Sequence, residues 1–137
     1  MSDRLISLAA GTVLDLGPAD AVGVAAQAGF GAAGIWFDPM TWTSSVTRAV
    51  AGRLADSGVV ALDVEPVILG RGPDHGEAVV DVAAEIGARH VLVASGQVER
   101  SEVVERFAAL CDRADASVTV VLEFLPIFSI GSLAAAL

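Results

Sequence analysis

Lysine, asparagine and tyrosine do not occur anywhere in the 137 residues. Without lysine there is neither a Schiff-base amine nor the phosphate-binding lysine of a P-loop, and without tyrosine there is no phenolic proton donor. Cysteine occurs once, as Cys111. No intrachain disulfide can form, and a lone thiol within a helical pattern reads as a packing residue rather than a nucleophile, which suits a reducing compartment. Basic residues are scarce, eight arginines against 17 acids for a formal charge of −9. With no basic stripe and no aromatic-basic alternation to offset that charge, nucleic acid is excluded as an expected partner. No apolar run approaches a membrane span, and the stretch 5–14 has a single arginine before it, too little for a secretory leader. The expectation is a soluble, cytoplasmic chain with no membrane partner.

What is abundant is apolar. The fraction of 54% exceeds the roughly 45–50% of ordinary globular proteins, so disorder is not expected. A chain of this length buries roughly two-thirds of its unfolded surface, enough for a core. Gly29, Gly58 and Gly87 stand 29 residues apart, each after a helix-patterned stretch and before an apolar run, and Ala116 takes the next place. A glycine just past a helix supplies the left-handed residue that ends it, so the ruler marks helix-to-strand joints and the repeat is a βα unit. Strands are expected at 4–9, 34–37, 59–65, 90–94 and 118–124, near-continuous in Val, Ile and Leu as strands covered on both faces are. Helices are expected between them: Pro18 to Ala28, a second capped by Thr43 or Ser44 and reaching Ser57, a third over 77–86, and a fourth capped by Ser101 and running through Arg113. The last nine residues begin another helix. Parallel strands joined by helical crossovers follow. No linker or low-complexity segment divides the chain, so residues 1–137 read as one domain holding about five strands of a (β/α)8 barrel, a fold that needs roughly 250 residues when complete.

Several motifs point toward chemistry, each with a plainer alternative. Gly29, Gly31 and Gly34 match G-x-G-x-x-G, but they follow a helix and enter a strand, the reverse of the dinucleotide-binding order, so they read as a tight turn and no nucleotide cofactor is expected. Gly70, Arg71, Gly72 and Gly76 lie between strand and helix, where amides can face a phosphate or sugar, or simply form a mobile loop; His75 sits in this loop, facing solvent. His90 begins a strand, at the end opposite the expected crevice, and reads as structural. Asp38, Glu65 and Glu123 fall at or near the C-terminal ends of strands, where parallel α/β folds place their chemistry. A glutamate inside VVLEFLP needs a partner, either an arginine or a metal, and oxygen ligands suit Mg²⁺ or Mn²⁺. Trp36, Phe37 and Trp42 flank the same rim, as core packing or as an aromatic wall for a sugar.

The strand ends GIWFDP, LDVEP, GARHVLVAS and VVLEFLP resemble the xylose-isomerase-like TIM barrels, the superfamily of sugar phosphate isomerases and epimerases, over nearly all of the chain. The most specific pieces are IGARHVLVASG and LEFLP. The resemblance implies that Glu123 binds a divalent metal, Mn²⁺ or Mg²⁺, and serves as one of two acid/base groups moving a proton next to a carbonyl, with Glu65, Trp36, Asp38 and His75 toward the carbohydrate substrate. In that family an aspartate, a histidine and a second glutamate come from strands six to eight. The expectation is therefore the N-terminal part of such an isomerase or epimerase, inactive alone. Two other readings remain: a non-catalytic half-barrel that self-associates or pairs with a complementary chain, and a flavodoxin-like small-molecule-binding domain.

Overall fold

A computed structural model describes residues 4–137; the first three residues of the expected domain lie outside the described ones. Five strands, β1 (Ser7–Leu8), β2 (Ala32–Trp36), β3 (Val60–Ile68), β4 (His90–Ala94) and β5 (Thr119–Glu123), alternate with helices α1 (Pro18–Gln27), α2 (Ser44–Ser57), α3 (Gly76–Ile86), α4 (Arg100–Arg113) and α5 (Leu133–Ala136). All strand pairs are parallel and the sheet runs β1-β2-β3-β4-β5 in sequence order. That order removes the flavodoxin-like reading, because a doubly wound sheet reverses direction partway and places its first strand inside the sheet. Each crossover here advances one strand the same way, as in a barrel wall.

The glycine ruler marks real joints. Gly29, Gly58 and Gly87 take φ of 83°, 71° and 72°, the left-handed geometry a helix exit requires. At the fourth place the chain uses a different device. The exit from α4 at Ala114 is extended, and the turn is tied by Asp115 Oδ1, which accepts from the Ser117 backbone N–H at 2.8 Å. Alanine resists the left-handed region, so this joint is built from a side-chain turn instead. Helix starts are mixed. Thr43 caps α2 through its hydroxyl and Pro18 opens α1, whereas α4 starts after Glu99, with no side-chain cap, and Ser101 lies inside it.

Only β4 keeps its expected span; β2 and β5 shift by one or two residues at their ends, and the first and third strands change more. The first is shortened to two residues by a 3-10 turn at Ala10–Thr12. The third runs on through Pro66 to Ile68, and a register shift between Val64 and Val67 absorbs the proline, which has no N–H to give to the ladder. Val67 then rejoins Val93.

The core lies between one face of the sheet and helices α1 to α4. Leu8, Ala33, Ile35, Val64, Val91 and Val93 from the strands meet Val22, Val50, Val79, Val80, Val103 and Leu110 from the helices. Each fully buried valine or isoleucine contributes roughly 1.5–3 kcal/mol. Side chains of the opposite parity, among them Gly34, Trp36, Asp63, Glu65, His90, Leu92, Val121 and Glu123, share the other face, the one a closed barrel would turn inward. None of α1 to α5 covers it. No helix among the described residues is long and apolar enough to cross a membrane.

Candidate functional site

The C-terminal rim is stitched strand to strand. The Phe37 N–H donates to the Glu65 carbonyl at 2.7 Å, Leu69 N–H to the Ala94 carbonyl at 3.0 Å, and Ser129 N–H to the Gly96 carbonyl at 2.8 Å. Buried Ser95 accepts from the Ile130 N–H at 2.9 Å, so the segment after β5 folds back onto the end of β4. Beside the first two of these ties lie two clefts of about 350 and 380 Å³. Trp36 and Asp38 line both, standing as the wall between them. The first cleft continues over Pro66, Ile68, Arg71 and His75; the second over Ala10, Leu14, Thr41 and Trp42.

The residues expected at the rim separate here by role. Trp36, the last residue of β2, is 39% exposed and presents an aromatic face to both clefts. Trp42 is held differently: its indole N–H donates to Thr47 Oγ1 at 3.0 Å and its ring stands 4.9 Å from buried Phe37. Trp36 is thus the free aromatic and Trp42 a packing residue. Asp38 is occupied locally. One carboxylate oxygen accepts from the Met40 N–H at 2.9 Å and the other from the Thr41 hydroxyl at 3.1 Å, which fixes the loop that carries Trp42. His75 stands at the exposed N-cap position of α3, makes no capping bond and lines the first cleft. Arg71 lines it as well, from the glycine loop.

Glu65 lies inside β3, in register with Trp36 and on its face. Burial, then the negative charges of Asp63 and Glu123, push its carboxyl up to about 7 from the ordinary 4.5. It therefore exchanges a proton near neutral pH, which an ordinary glutamate does not. Glu123 ends the edge strand β5, exposed and in register with Ala94, outside both clefts. The arginine partner that a buried glutamate would need is not required at this exposed edge.

Two residues were not expected to matter. Asp63 alternates with Glu65 in LDVE, and a strand's period of two puts both acids on one face, a signal present in the sequence. Burial raises the Asp63 carboxyl; His90 opposes that rise and Glu123 adds to it. His90 does begin β4, as expected, yet it also stands in register with Asp63. Its Nδ1 is buried without a hydrogen-bond partner among the described residues.

Among the described residues, no three His, Cys, Asp or Glu side chains converge closely enough to hold a metal ion. Asp63, Glu65 and Glu123 are strung along the face rather than gathered, so these donors do not by themselves fit Mn²⁺ or Mg²⁺.

Neither a protein-family model nor a curated protein matches the sequence. Solved structures do match it in fold. A xylose isomerase-like TIM barrel/4-hydroxyphenylpyruvate dioxygenase fusion protein superposes with a TM-score of 0.74 at 19% identity, over 94% of this chain and 23% of its own. The IolI protein, solved with a binding zinc atom, gives 0.74 at 14% identity, over 97% of this chain and 56% of its own. An AP endonuclease, family 2, from Brucella melitensis gives 0.66 at 19%, over 89% and 56%. The chain thus spans just over half the length of the latter two and under a quarter of the fusion protein. Its fold is that of the wall of a TIM barrel, with five parallel strands among the described residues where a complete barrel has eight.

Proposed function

We propose that the chain carries the sugar-recognising part of an isomerase- or epimerase-like site, with a sugar or sugar phosphate as substrate. The observation that supports this most is the pairing, in register on the uncovered face, of Trp36 with a glutamate that titrates near neutral pH. Moving a proton next to a carbonyl requires a group that gives and takes protons at the working pH, and Glu65 is such a group. Trp36 offers the apolar face on which a sugar ring stacks, while His75 and Arg71 offer donors along the first cleft. Asp38 acts through the loop it ties. Glu123 contributes a carboxylate at the end of β5 that belongs to a complete site, with metal ligands that the described residues do not bring together. The chain alone therefore binds substrate without turning it over.

Sugar titrations followed by tryptophan fluorescence test this. A saturable response to a ketose or its phosphate is expected, abolished in W36A and retained in W42F. The reading is overturned if no sugar or sugar phosphate produces a response that depends on Trp36. In deuterium oxide, no exchange at the carbon beside the carbonyl is expected with the chain alone; exchange that E65Q leaves unchanged would remove Glu65 from the chemistry.

A second reading is supported by the open sheet. The outer edges of β1 and β5 are unpaired within the described residues, and the uncovered face carries Leu92 and Val121 beside its acids. Unpaired edges and uncovered apolar side chains favour association, with a second copy or with a complementary chain.

A further inference from the structure

Both tryptophans of the chain line the second cleft, and the substrate handling proposed above uses only the first. The second cleft opens where β1 stops early. The 3-10 turn at Ala10–Thr12 closes down on β2 because Gly34 has no side chain: a Cβ there would stand 2.8 Å from the Ala10 backbone nitrogen. The loop that follows carries Leu14 and Leu16, 56% and 37% exposed, and both line the cleft. Two leucines and the exposed Trp36 thus put an apolar lining at the surface.

Most polar groups along this lining are already engaged. Both Asp38 oxygens accept local bonds, one of them from the Thr41 hydroxyl, and the Trp42 indole N–H donates to Thr47. The carbonyls of Ala9, Val13 and Gly17 accept from the N–H groups of Thr12, Leu16 and Ala21. Among the described residues, the exceptions in its side chains are Asp15, exposed on the loop, and the Trp36 indole N–H. A hydroxylated group entering here gives up water for few new partners, whereas an apolar group gives up nothing. The volume of about 380 Å³ is ample, since an apolar cavity of roughly 150 Å³ accepts benzene.

We propose that the second cleft is a subsite for an aromatic ring, and that the ligand is a carbohydrate bearing that ring, laid across both clefts with Trp36 between its two parts. An aromatic ring is favoured over an aliphatic chain because two indoles line the cleft, and offset or edge-to-face ring contacts add to the gain from burial. Trp36 and Asp38 belong to both clefts, so the two adjoin. That the ring is carried by a carbohydrate rests on the reading of the first cleft as a sugar site; the aromatic subsite itself does not.

The test follows the methyl ¹H–¹³C spectrum of the intact chain during titration with phenyl β-glucoside, methyl β-glucoside and phenol. Ring-current shifts are expected at the methyl groups of Leu14, Leu16 and Val46, which line the cleft, from phenyl β-glucoside and from phenol. The phenyl glucoside should bind more tightly than the methyl glucoside by about tenfold or more, the gain from burying a ring. L14Q, at an exposed position, and A21M, which narrows the cleft from α1, should each bring that ratio toward one. Measurable but equal affinity of the two glucosides, or a preference that L14Q and A21M leave intact, overturns the subsite. Phenol separates this outcome from the proposed function. Shifts from phenol at Leu14, with no Trp36-dependent response to any sugar, keep the subsite and lose the sugar site. Sugar binding without shifts from phenol or the phenyl ring does the reverse, and no shift from any of the three overturns both.

Discussion

Gly34 leaves no room for a side chain on the uncovered face. A Cβ there would stand 2.6 Å from Asp63 Oδ1, 2.8 Å from the Ala10 backbone nitrogen and 3.2 Å from the Ala10 Cβ. Two of these neighbours belong to the 3-10 turn that shortens β1, so the methyl group cannot be accommodated by rotating one side chain. G34A is expected to destabilise the chain by about 1–3 kcal/mol in urea unfolding, as small-to-large changes in packed sites do. G11A is the control, because an added Cβ there meets nothing within 4 Å and no positive φ is needed. Equal stability of the two variants would show that the Asp63 carboxylate moves aside without penalty. Gly96 makes the same point at the rim. There a Cβ would collide with the Leu69 carbonyl oxygen, and its absence lets the loops after β3 and β4 touch.

Strand β3 places two acids on one face, and β5 brings a third toward them. The consequence is a dependence of stability on pH that runs opposite to the usual acid lability. Glu65 is raised to about 7 in the fold from 4.5, and Asp63 is raised too, so the folded chain binds protons that the unfolded chain releases. This contribution is complete below about 4.5 and is lost as pH rises through 7. Since Glu65 is only half-buried and solvent screens it, the gain on going from pH 8 to pH 5.5 is about 1 kcal/mol. The urea midpoint is expected to be higher at pH 5.5 than at pH 8, and the difference should shrink in E65Q. A midpoint that falls on acidification within this window would mean that Glu65 is fully solvated. At lower pH the trend reverses. Asp81 and Asp115 are held below the ordinary carboxylate range, by the Arg113 side chain and by Ser117 respectively, and they lose those bonds on protonation.

Five strands in sequential order with every long helix on one side make a curved wall, covered outside and open inside. Its open side holds Trp36, Leu92 and Val121 among Asp63, Glu65 and Glu123, and its edges at β1 and β5 end in unpaired backbone among the described residues. Such a wall is expected to associate. In light scattering coupled to size exclusion, mass should rise with concentration, and V121K, which places a charge on the uncovered face of the edge strand, should lower it. A monodisperse monomer that also fails to bind an apolar-surface dye would rule this out. Acidity on that face disfavours a simple face-to-face pair of identical chains and favours a partner with basic groups. Stronger association at pH 5.5 than at pH 8 would mark the like-charge repulsion.

The repeat is written in the chain itself. A glycine every 29 residues, with valine-rich runs after each, specified parallel βα units because glycine relaxes readily into the left-handed exit; the same runs read as strands covered on both faces, whereas the helices cover only one and the other carries Asp63, Glu65 and His90. The span of β4, the helix start at Pro18 and the cap at Thr43 were equally local, and so equally readable. What local pattern left open was decided across strands. Flavodoxin-like and barrel-like sheets share the same βα signature, and only strand adjacency separates them. The apolar run of the third strand reads as ending at 65, yet the ladder resumes at Val67 because Val93 is there to receive it. Asp38, Glu65 and Glu123 looked alike as acids near strand ends. Tertiary structure assigned Asp38 to its own loop, left Glu123 exposed at the edge, and gave Glu65 its distinct proton affinity. That last property depends on desolvation and on charges from β3 and β5 meeting on one face, and no single stretch of sequence contains it.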